Sequence, residues 1–243
     1  MEQAVSCKPA PTACEYLPGQ ESQLYYELIP RLTASQYTQR LKDGWRRFGP
    51  VVFRPECPAC RRCQSLRVPS EAFRPSRSQR RVWERNAGTV ALRIEEPVID
   101  SERLELFAAF HEYGHRTKGW PSPAEEEFRL NLYLANPFPT EEWSYWISGT
   151  LVGLGYVDAL PEGLSAIYFV HAPEEHRRSL GTFNILTLID AARRRGLPHV
   201  YLGYYVEGCR SLEYKARFRP HEVLNGGAWT GARQVWPRGP ITP

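Results

Sequence analysis

The sequence lacks three features that would each assign it to a familiar class of protein. None of its apolar runs is long enough to cross a bilayer, and its first residues do not show the charged-then-apolar pattern of an export signal. Its 6 histidines show no metal-ligand spacing with the cysteines. We therefore expect a cytoplasmic protein with reduced cysteines, a state that favours metal binding over disulfides.

Acidic residues are scarce in one part of the chain. Residues 1–90 hold 15 Lys and Arg against 8 Asp and Glu, whereas residues 91–243 hold 16 against 19. The excess is greatest over 46–85, with 11 basic and 3 acidic side chains. This asymmetry predicts that the N-terminal part approaches a polyanion such as nucleic acid.

Four cysteines form the most specific motif. Three lie in the run Cys57-Pro-Ala-Cys60-Arg-Arg-Cys63, and Cys14 supplies a distant fourth. Because each short loop turns its two sulfurs to the same side, the set suits tetrahedral zinc or an iron–sulfur cluster. The spacing does not choose between these two cofactors, and a surface loop of reduced thiols without metal is the alternative.

Local signals predict helices and strands in both halves, and hence a mixed α/β (α+β) fold. Capping boxes at Thr33 and Ser76 predict helices over about 34–43 and 77–86, and further helices are predicted at about 101–115, 122–136 and 182–195. Strands are predicted at 24–29, 51–54, 143–148, 151–160, 165–170 and 199–206. The composition changes after Pro97, which predicts a basic, cysteine-rich domain over 1–96 and a second domain over 97–243.

The helix predicted after Ser76 carries four arginines and one acidic residue, Glu84. Like charges at i,i+4 repel, so a merely solvated helix would avoid this pattern. We expect the helix and the residues before it to contact phosphates through Arg74, Arg77, Arg80 and Arg81.

The order of elements after 140 resembles the core of the GNAT acyltransferase fold, in which a helix N-terminus meets the substrate. GNAT enzymes that use coenzyme A hold its pyrophosphate in a loop with two small residues. Here the loop runs from Arg178 through Gly181 to Phe183, and Phe183 replaces the second small residue. The sequence therefore predicts a GNAT-like domain that does not use coenzyme A, in which Arg178 holds a nucleic-acid phosphate.

Motifs along nearly the whole chain resemble the aminoacyl-tRNA–protein transferases of the N-degron pathway. These are the bacterial aspartate/glutamate leucyltransferases and the related arginyl-tRNA–protein transferases. The matching stretches are Cys14-Glu-Tyr-Leu-Pro18, the Cys57–Cys63 run, Leu66-Arg-Val-Pro69, Phe73-Arg-Pro-Ser-Arg-Ser-Gln-Arg-Arg81, Ser179-Leu-Gly-Thr182, Tyr201-Leu-Gly-Tyr204 and Tyr214-Lys-Ala-Arg-Phe-Arg-Pro220. The segment 209–215 and the region 111–121 depart from the common bacterial pattern, which leaves the transferred amino acid open between leucine and arginine.

The resemblance implies a reaction in which an aminoacyl ester on tRNA is attacked by the N-terminal α-amine of a protein that begins with Asp or Glu, marking that protein for degradation. The ester is already activated, so catalysis consists mostly of positioning and of donors aimed at the developing oxyanion. In GNAT folds two separated strands, here Ala166–Val170 and Tyr201–Tyr205, leave backbone amides free for this purpose. Tyr204, Tyr205 and Glu207 are the candidates to relay the proton, and the sequence does not choose among them.

An acceptor that begins with Asp or Glu presents a carboxylate, which a cationic side chain must recognise. Lys215, Arg217 and Arg219 alternate along a predicted strand, so we expect them to share one face and to bind the acceptor. Three cations that merely face water would show the same alternation.

Two other functions remain compatible with the sequence. One is a GNAT acetyltransferase that depends on coenzyme A, which the altered phosphate loop disfavours. The other is a non-catalytic nucleic-acid-binding protein built on the cysteine motif, with the C-terminal half as its scaffold.

Overall fold

The structure, a computed structural model, describes residues 5–119 and 135–231. Its strands are β1 (Val5–Cys7), β2 (Thr12–Ala13), β3 (Glu21–Ser22), β4 (Leu24–Leu28), β5 (Arg46–Phe48), β6 (Val51–Pro55), β7 (Gln64–Pro69), β8 (Ala91–Glu95), β9 (Thr140–Ile147), β10 (Thr150–Leu160), β11 (Gly163–His171), β12 (His199–Tyr205), β13 (Glu222–Asn225) and β14 (Ala228–Gly231). Its helices are α1 (Ala34–Lys42), α2 (Arg77–Asn86), α3 (Ser101–Lys118), α4 (Leu180–Arg194) and α5 (Arg210–Glu213), with 3-10 turns at Pro173–Arg178 and Tyr214–Arg217.

A large mixed sheet organises the fold, as expected for an α+β protein. Its eight strands run in the order β14-β13-β7-β12-β11-β10-β9-β8. Neighbouring strands are antiparallel except β11 and β12, which are parallel because α4 carries the chain from one to the other. Strands β7 and β8 precede residue 97, so this sheet crosses the boundary predicted between 1–96 and 97–243.

A second sheet has four antiparallel strands in the order β1-β4-β6-β5. The short strands β2 and β3 pair separately, near the cysteine motif. Both sheets therefore draw on the N-terminal part, which is joined to the large sheet through β7 rather than attached as a separate unit.

The predicted elements that fall within the described residues are confirmed with small changes of boundary, except for the strand predicted over 215–219. Both capping boxes are formed: the Thr33 hydroxyl accepts a hydrogen bond from the amide of Gln36, and the Ser76 hydroxyl accepts one from the amide of Gln79. Helix α3 is longer than expected and is capped by Asp100. The helix predicted at 122–136 lies almost entirely outside the described residues. Eight strands of the described residues were not expected: β1, β2, β3, β5, β7, β8, β13 and β14.

The main hydrophobic core lies between the large sheet and helices α2, α3 and α4. Helix α4 contributes most, because its apolar side chains are buried from Leu180 to Ala192. Within the described ranges, no helix combines the length and hydropathy that a bilayer crossing requires.

A buried ion pair ties the four-stranded sheet to the large one. Arg47 of β5 forms a two-pronged contact with Asp158 of β10, with Nε 2.8 Å from Oδ2, and both side chains are fully buried. Thr140 donates to Asp158 and accepts from Arg47, so the polar groups of the pair are hydrogen-bonded. A small apolar core around Tyr37, Leu41 and Val52 packs beside the pair.

We expect Arg47→Met to lower the free energy of unfolding by about 3–5 kcal/mol, because it leaves the Asp158 carboxylate buried without a partner. Urea denaturation measures this loss, and the double variant Arg47→Met/Asp158→Leu should recover part of it. Arg116→Gln removes an exposed partner of Glu112 and should change stability by less than about 1 kcal/mol. Equal, small losses in the two single variants would show that the buried pair does not hold the sheets together.

Candidate functional site

The large sheet opens between its two parallel strands. Strands β11 and β12 pair over Gly163–Ser165 and His199–Tyr201, and their remaining residues separate. The separation predicted for Ala166–Val170 and Tyr201–Tyr205 is confirmed from Ala166 and from Leu202 onwards, whereas Tyr201 is still paired with Ser165. Each strand also bulges just past the paired region, at Ile167 and Leu202 respectively, where the register with the outer neighbour shifts by one residue. Bulges of this kind re-aim the backbone next to functional sites.

A cavity of about 150 Å³ lies at this opening. Strands β5, β6, β11 and β12 form its walls, and the exposed rings of Tyr16 and Phe48 lie at its rim. None of the described residues that line it is acidic, whereas three are basic. The lining residues are Tyr16, Tyr37, Arg46, Arg47, Phe48, Phe53, Ala166, Ile167, Leu202, Gly203, Tyr204, Leu212 and Lys215.

Arg46 reaches from β5 into the opening between β11 and β12. Its side chain is buried, and Nη2 donates a hydrogen bond to the backbone oxygen of Ala166 at 2.7 Å. The guanidinium lies against Gly203, where a Cβ atom would be 3.3 Å from Nη2. Gly203 also has a φ of +81°, a conformation that favours glycine. Nothing in the sequence pattern singled out Arg46, which lies in a basic stretch without a motif.

Lys215 approaches the cavity from a different element. Its Nζ donates to the backbone oxygen of Tyr204 at 2.9 Å. Burial, with a smaller contribution from the nearby charge of Arg46, lowers the pKa of Lys215 to about 7. The cavity therefore has two basic side chains, Arg46 and Lys215. Among the described residues, both donate hydrogen bonds to backbone oxygens and neither forms an ion pair.

The strand predicted over 215–219 is wrong. Residues 210–217 form α5 and a 3-10 turn, because the amides of Leu212 and Glu213 donate to the oxygen of Cys209 and close local turns. The alternation of Lys215, Arg217 and Arg219 therefore does not place them on one face. Lys215 lines the cavity, whereas Arg217 and Arg219 are exposed and outside it.

The three candidates for proton relay lie in different surroundings. Tyr204 lines the cavity, and its hydroxyl donates to the backbone oxygen of Gly44 at 3.0 Å. Burial raises the pKa of Tyr204, so the hydroxyl keeps its proton at neutral pH. Tyr205 belongs to the main core, where burial, followed by the charge of Glu207, raises its pKa to about 12. Glu207 is exposed.

The predicted basic surface is present on and beside α2. The side chains of Arg74, Arg77, Arg80 and Arg81 are exposed, and we call these four residues the basic surface. Helix α2 packs against α4, so this surface is fixed to the main core.

The loop before α4 is braced by α2. The side chain of Asn86 donates to the backbone oxygen of Arg178, and Arg85 donates to that of Arg177. Arg178 itself is paired with Glu175 at 2.7 Å. Phe183, which replaces the second small residue of the coenzyme A loop, is buried in the main core.

The cysteine motif gathers beside the cavity. Cys57 is buried, and Cys14, Cys60 and Cys63 pack against a small cluster of Leu17, Val206 and Cys209. Burial, followed by the charges of the neighbouring thiolates, raises the pKa of Cys63 to about 12. All six cysteines are free thiols. As arranged, no three His, Cys, Asp or Glu side chains in the described ranges converge closely enough to hold one metal ion.

The pKa of Lys215 makes the stability of the protein depend on pH. Between pH 7 and the ordinary lysine value of 10.5, the unfolded chain binds a proton that the folded chain does not, so stability rises with pH. We expect Lys215→Met to be more stable than the parent protein below pH 7, with the advantage shrinking towards pH 10. Thermal unfolding at pH 6 and pH 9.5 measures this, with the exposed Lys118→Met as control. An advantage of the same size at both pH values would contradict the assignment of a buried, readily deprotonated lysine.

Comparison with known proteins gives consistent matches along the chain. The family described as "Arginine-tRNA-protein transferase, N terminus" matches residues 12–81, and the one described as "Arginine-tRNA-protein transferase, C terminus" matches residues 102–225. The protein named aspartate/glutamate leucyltransferase of Marinobacter nauticus is 40% identical over 223 residues, which cover 90% of this chain and 92% of the relative. Its namesake of Halorhodospira halophila is 38% identical over 89% of this chain and 92% of the relative.

Solved structures are more distant. That of FemX covers 84% of this chain and 80% of its own, at 9% identity and a TM-score of 0.47, which is too low to bear on function. The family assignment rests on the sequence relatives. Because the C-terminal match alone spans more than half of the chain and the relatives align with about nine-tenths of it, the chain belongs to the arginine-tRNA-protein transferase family of aminoacyltransferases.

Proposed function

We propose that this protein transfers leucine from charged tRNA to the N-terminal α-amine of proteins that begin with Asp or Glu, and so marks them for degradation. The names of its relatives support leucine as the donor and Asp or Glu as the acceptor, whereas the family description supports arginine. We favour leucine because the relatives named for it align along almost the whole chain. The observation that carries the proposal is the cavity at the opening between β11 and β12, which is lined by unpaired strand backbone and by the basic side chains of Arg46 and Lys215.

The chemistry at this cavity requires little beyond positioning. The ester donor is activated before it arrives, and the α-amine has an ordinary pKa of about 7.7–8.0, so much of it is already neutral near pH 7.5. Backbone amides beyond the paired part of β11 and β12 are the donors we assign to the developing oxyanion. Of the three relay candidates, Tyr204 is the one that lines the cavity. We assign to its hydroxyl the relay of a proton from the attacking α-amine to the 3′ oxygen that leaves with the tRNA.

We infer that the C-terminal part is a GNAT-like domain that works without coenzyme A. The parallel pair β11 and β12, joined through α4, supports the GNAT-like assignment. The buried ring of Phe183 supports the absence of coenzyme A, because it occupies the position where a small residue would let the pyrophosphate approach.

We assign tRNA backbone binding to the basic surface and to Arg178. Four exposed guanidinium groups on a rigid helix and its approach suit phosphate contacts. The exposed rings of Tyr16 and Phe48 at the cavity rim suit stacking of an unpaired base at the tRNA end. Charged tRNA and its protein acceptors meet in the cytoplasm, where we place the reaction.

The direct test is transfer of radiolabelled amino acid from leucyl-tRNA or arginyl-tRNA to peptides that begin with Asp, Glu or Ala. We expect label from leucyl-tRNA on the Asp and Glu peptides only, and a KM for tRNA that rises steeply with salt because phosphate contacts release counterions. Transfer from arginyl-tRNA alone would correct the donor. No transfer from either tRNA, by protein of confirmed fold, would overturn the proposal.

We infer that zinc or an iron–sulfur cluster binds at Cys14, Cys57, Cys60 and Cys63. The support is the chemistry of the donor set: four soft thiol ligands that gather around one small cluster. Binding requires the sulfurs to move closer together than they lie here. The metal would brace β2, β3 and the start of β7 against the loop after β12, and so the wall of the cavity that contains Tyr16.

Metal analysis of anaerobically purified protein tests this inference. We expect zinc or iron in stoichiometric amount, and visible thiolate-to-iron absorption if a cluster is bound. Cys60→Ser should lower the metal content, whereas Cys7→Ser, which changes an exposed thiol outside the motif, should not. Metal-free protein with full stability and activity would contradict the inference.

A further inference from the structure

We propose that Arg46, assisted by Lys215, binds the side-chain carboxylate of the acceptor's first residue and thereby selects Asp and Glu. The proposal rests on the transferase function proposed above, which it deepens by placing acceptor recognition inside the cavity rather than on the exposed arginines after α5. It adds Arg46, which belongs to the N-terminal part of the chain, as a residue that determines specificity.

The charge balance of the cavity supports an anionic occupant. Of its three basic lining residues, Arg47 is neutralised by the buried contact with Asp158. The charge of Arg46 contributes to the lowered pKa of Lys215, and no Asp or Glu is among the described lining residues. Asp158 acts on Arg46 at longer range, without an ion pair between the two in the described residues. A buried cation without a directly bound anion is costly in a folded protein. A carboxylate entering the cavity would pair with Arg46 and would also favour the protonated form of Lys215.

The hydrogen-bonding geometry of Arg46 suits a carboxylate. The guanidinium has five N–H groups in a fixed planar fork. Among the described residues, its hydrogen bond is donated by Nη2 to the backbone oxygen of Ala166. The guanidinium lies flat against Gly203, and the side chain of Arg46 is buried. These contacts hold the group in place without an acidic partner. Its free N–H groups can therefore form the two-pronged contact that Arg makes with carboxylates.

The size and position of the cavity agree with this occupant. A cavity of about 150 Å³ is known to admit a benzene molecule, so this one can admit the side chain of Asp or Glu. In an N-terminal Asp or Glu the carboxylate is only a few bonds from the reacting α-amine. The side chain that recognises it must therefore lie close to the reaction centre, as Arg46 does and as the exposed Arg217 and Arg219 do not.

The test compares Arg46→Gln with the parent protein on four peptides that differ only in their first residue: Asp, Asn, Glu or Gln. We expect kcat/KM for the Asp and Glu peptides to fall by roughly 30-fold or more, the loss typical of a removed hydrogen bond to a charged group. The low activity on the Asn and Gln peptides should fall much less, so that the preference for acidic residues collapses. Arg46→Lys should retain part of the preference, because it keeps the charge and loses the fork.

Arg54→Gln is the matched control. Arg54 is another arginine of the four-stranded sheet, but it is only half-buried, is paired with Glu56 and does not line the cavity. We expect this variant to keep the parent preference. An equal loss on all four peptides with Arg46→Gln would assign Arg46 to tRNA or oxyanion binding instead, and an unchanged preference would overturn the proposal outright.

A binding experiment separates this proposal from the function on which it rests. Calorimetric titration of the full chain, without tRNA, with the Asp and Asn peptides should show tighter binding of Asp that Arg46→Gln abolishes, while melting curves confirm that the variant is folded. If the parent protein transfers no amino acid yet binds Asp through Arg46, the transferase function fails and the site stands. If it transfers leucine and Arg46→Gln binds Asp as before, the site fails and the function stands.

Discussion

The architecture of the site follows from the separation of two parallel strands, β11 and β12, after a short paired region. Strands β11 and β12 pair for three residues and then separate, and each bulges at once, which leaves backbone and a small cavity in the middle of an eight-stranded sheet. A sheet opened in this way needs something to occupy the gap, and the protein supplies the guanidinium of Arg46 from another sheet. Adjacent residues of β5 thus have separate tasks: Arg47 fastens the two sheets through Asp158, and Arg46 enters the opening.

This arrangement explains why the N-terminal part is integral to the site. Strand β7 lies beside β12 within the large sheet, and β5 and β6 form walls of the cavity. The cysteine motif immediately precedes β7 and packs against the loop that follows β12. A ligand that draws the cysteines together would therefore affect the cavity by shifting β7 and the loop that follows β12, without contacting the substrates.

The sequence allowed most of the local structure and only part of the site to be predicted. The hydrogen bonds of the capping boxes at Thr33 and Ser76 form within four residues of sequence, so the local pattern was enough to predict α1 and α2. Strand β7 and the burial of Arg46 depend on partners more than a hundred residues away along the chain, which no local pattern records. The strand predicted over 215–219 was wrong for a different reason. Its alternating cations gave the local pattern of a strand, but the chain forms a 3-10 turn there. Lys215, which was selected on that alternation, nevertheless lines the cavity.

The cavity between β11 and β12 is the proposed site of the acceptor's first residue. A crystal structure of the protein with a bound peptide that begins with Asp would show where that residue lies. We expect the side-chain carboxylate at about 2.7–2.9 Å from the guanidinium nitrogens of Arg46, the distance of a charge-assisted hydrogen bond, with the α-amine at the opening between the strands. A carboxylate bound instead by Arg217 or Arg219 outside the cavity would contradict this expectation.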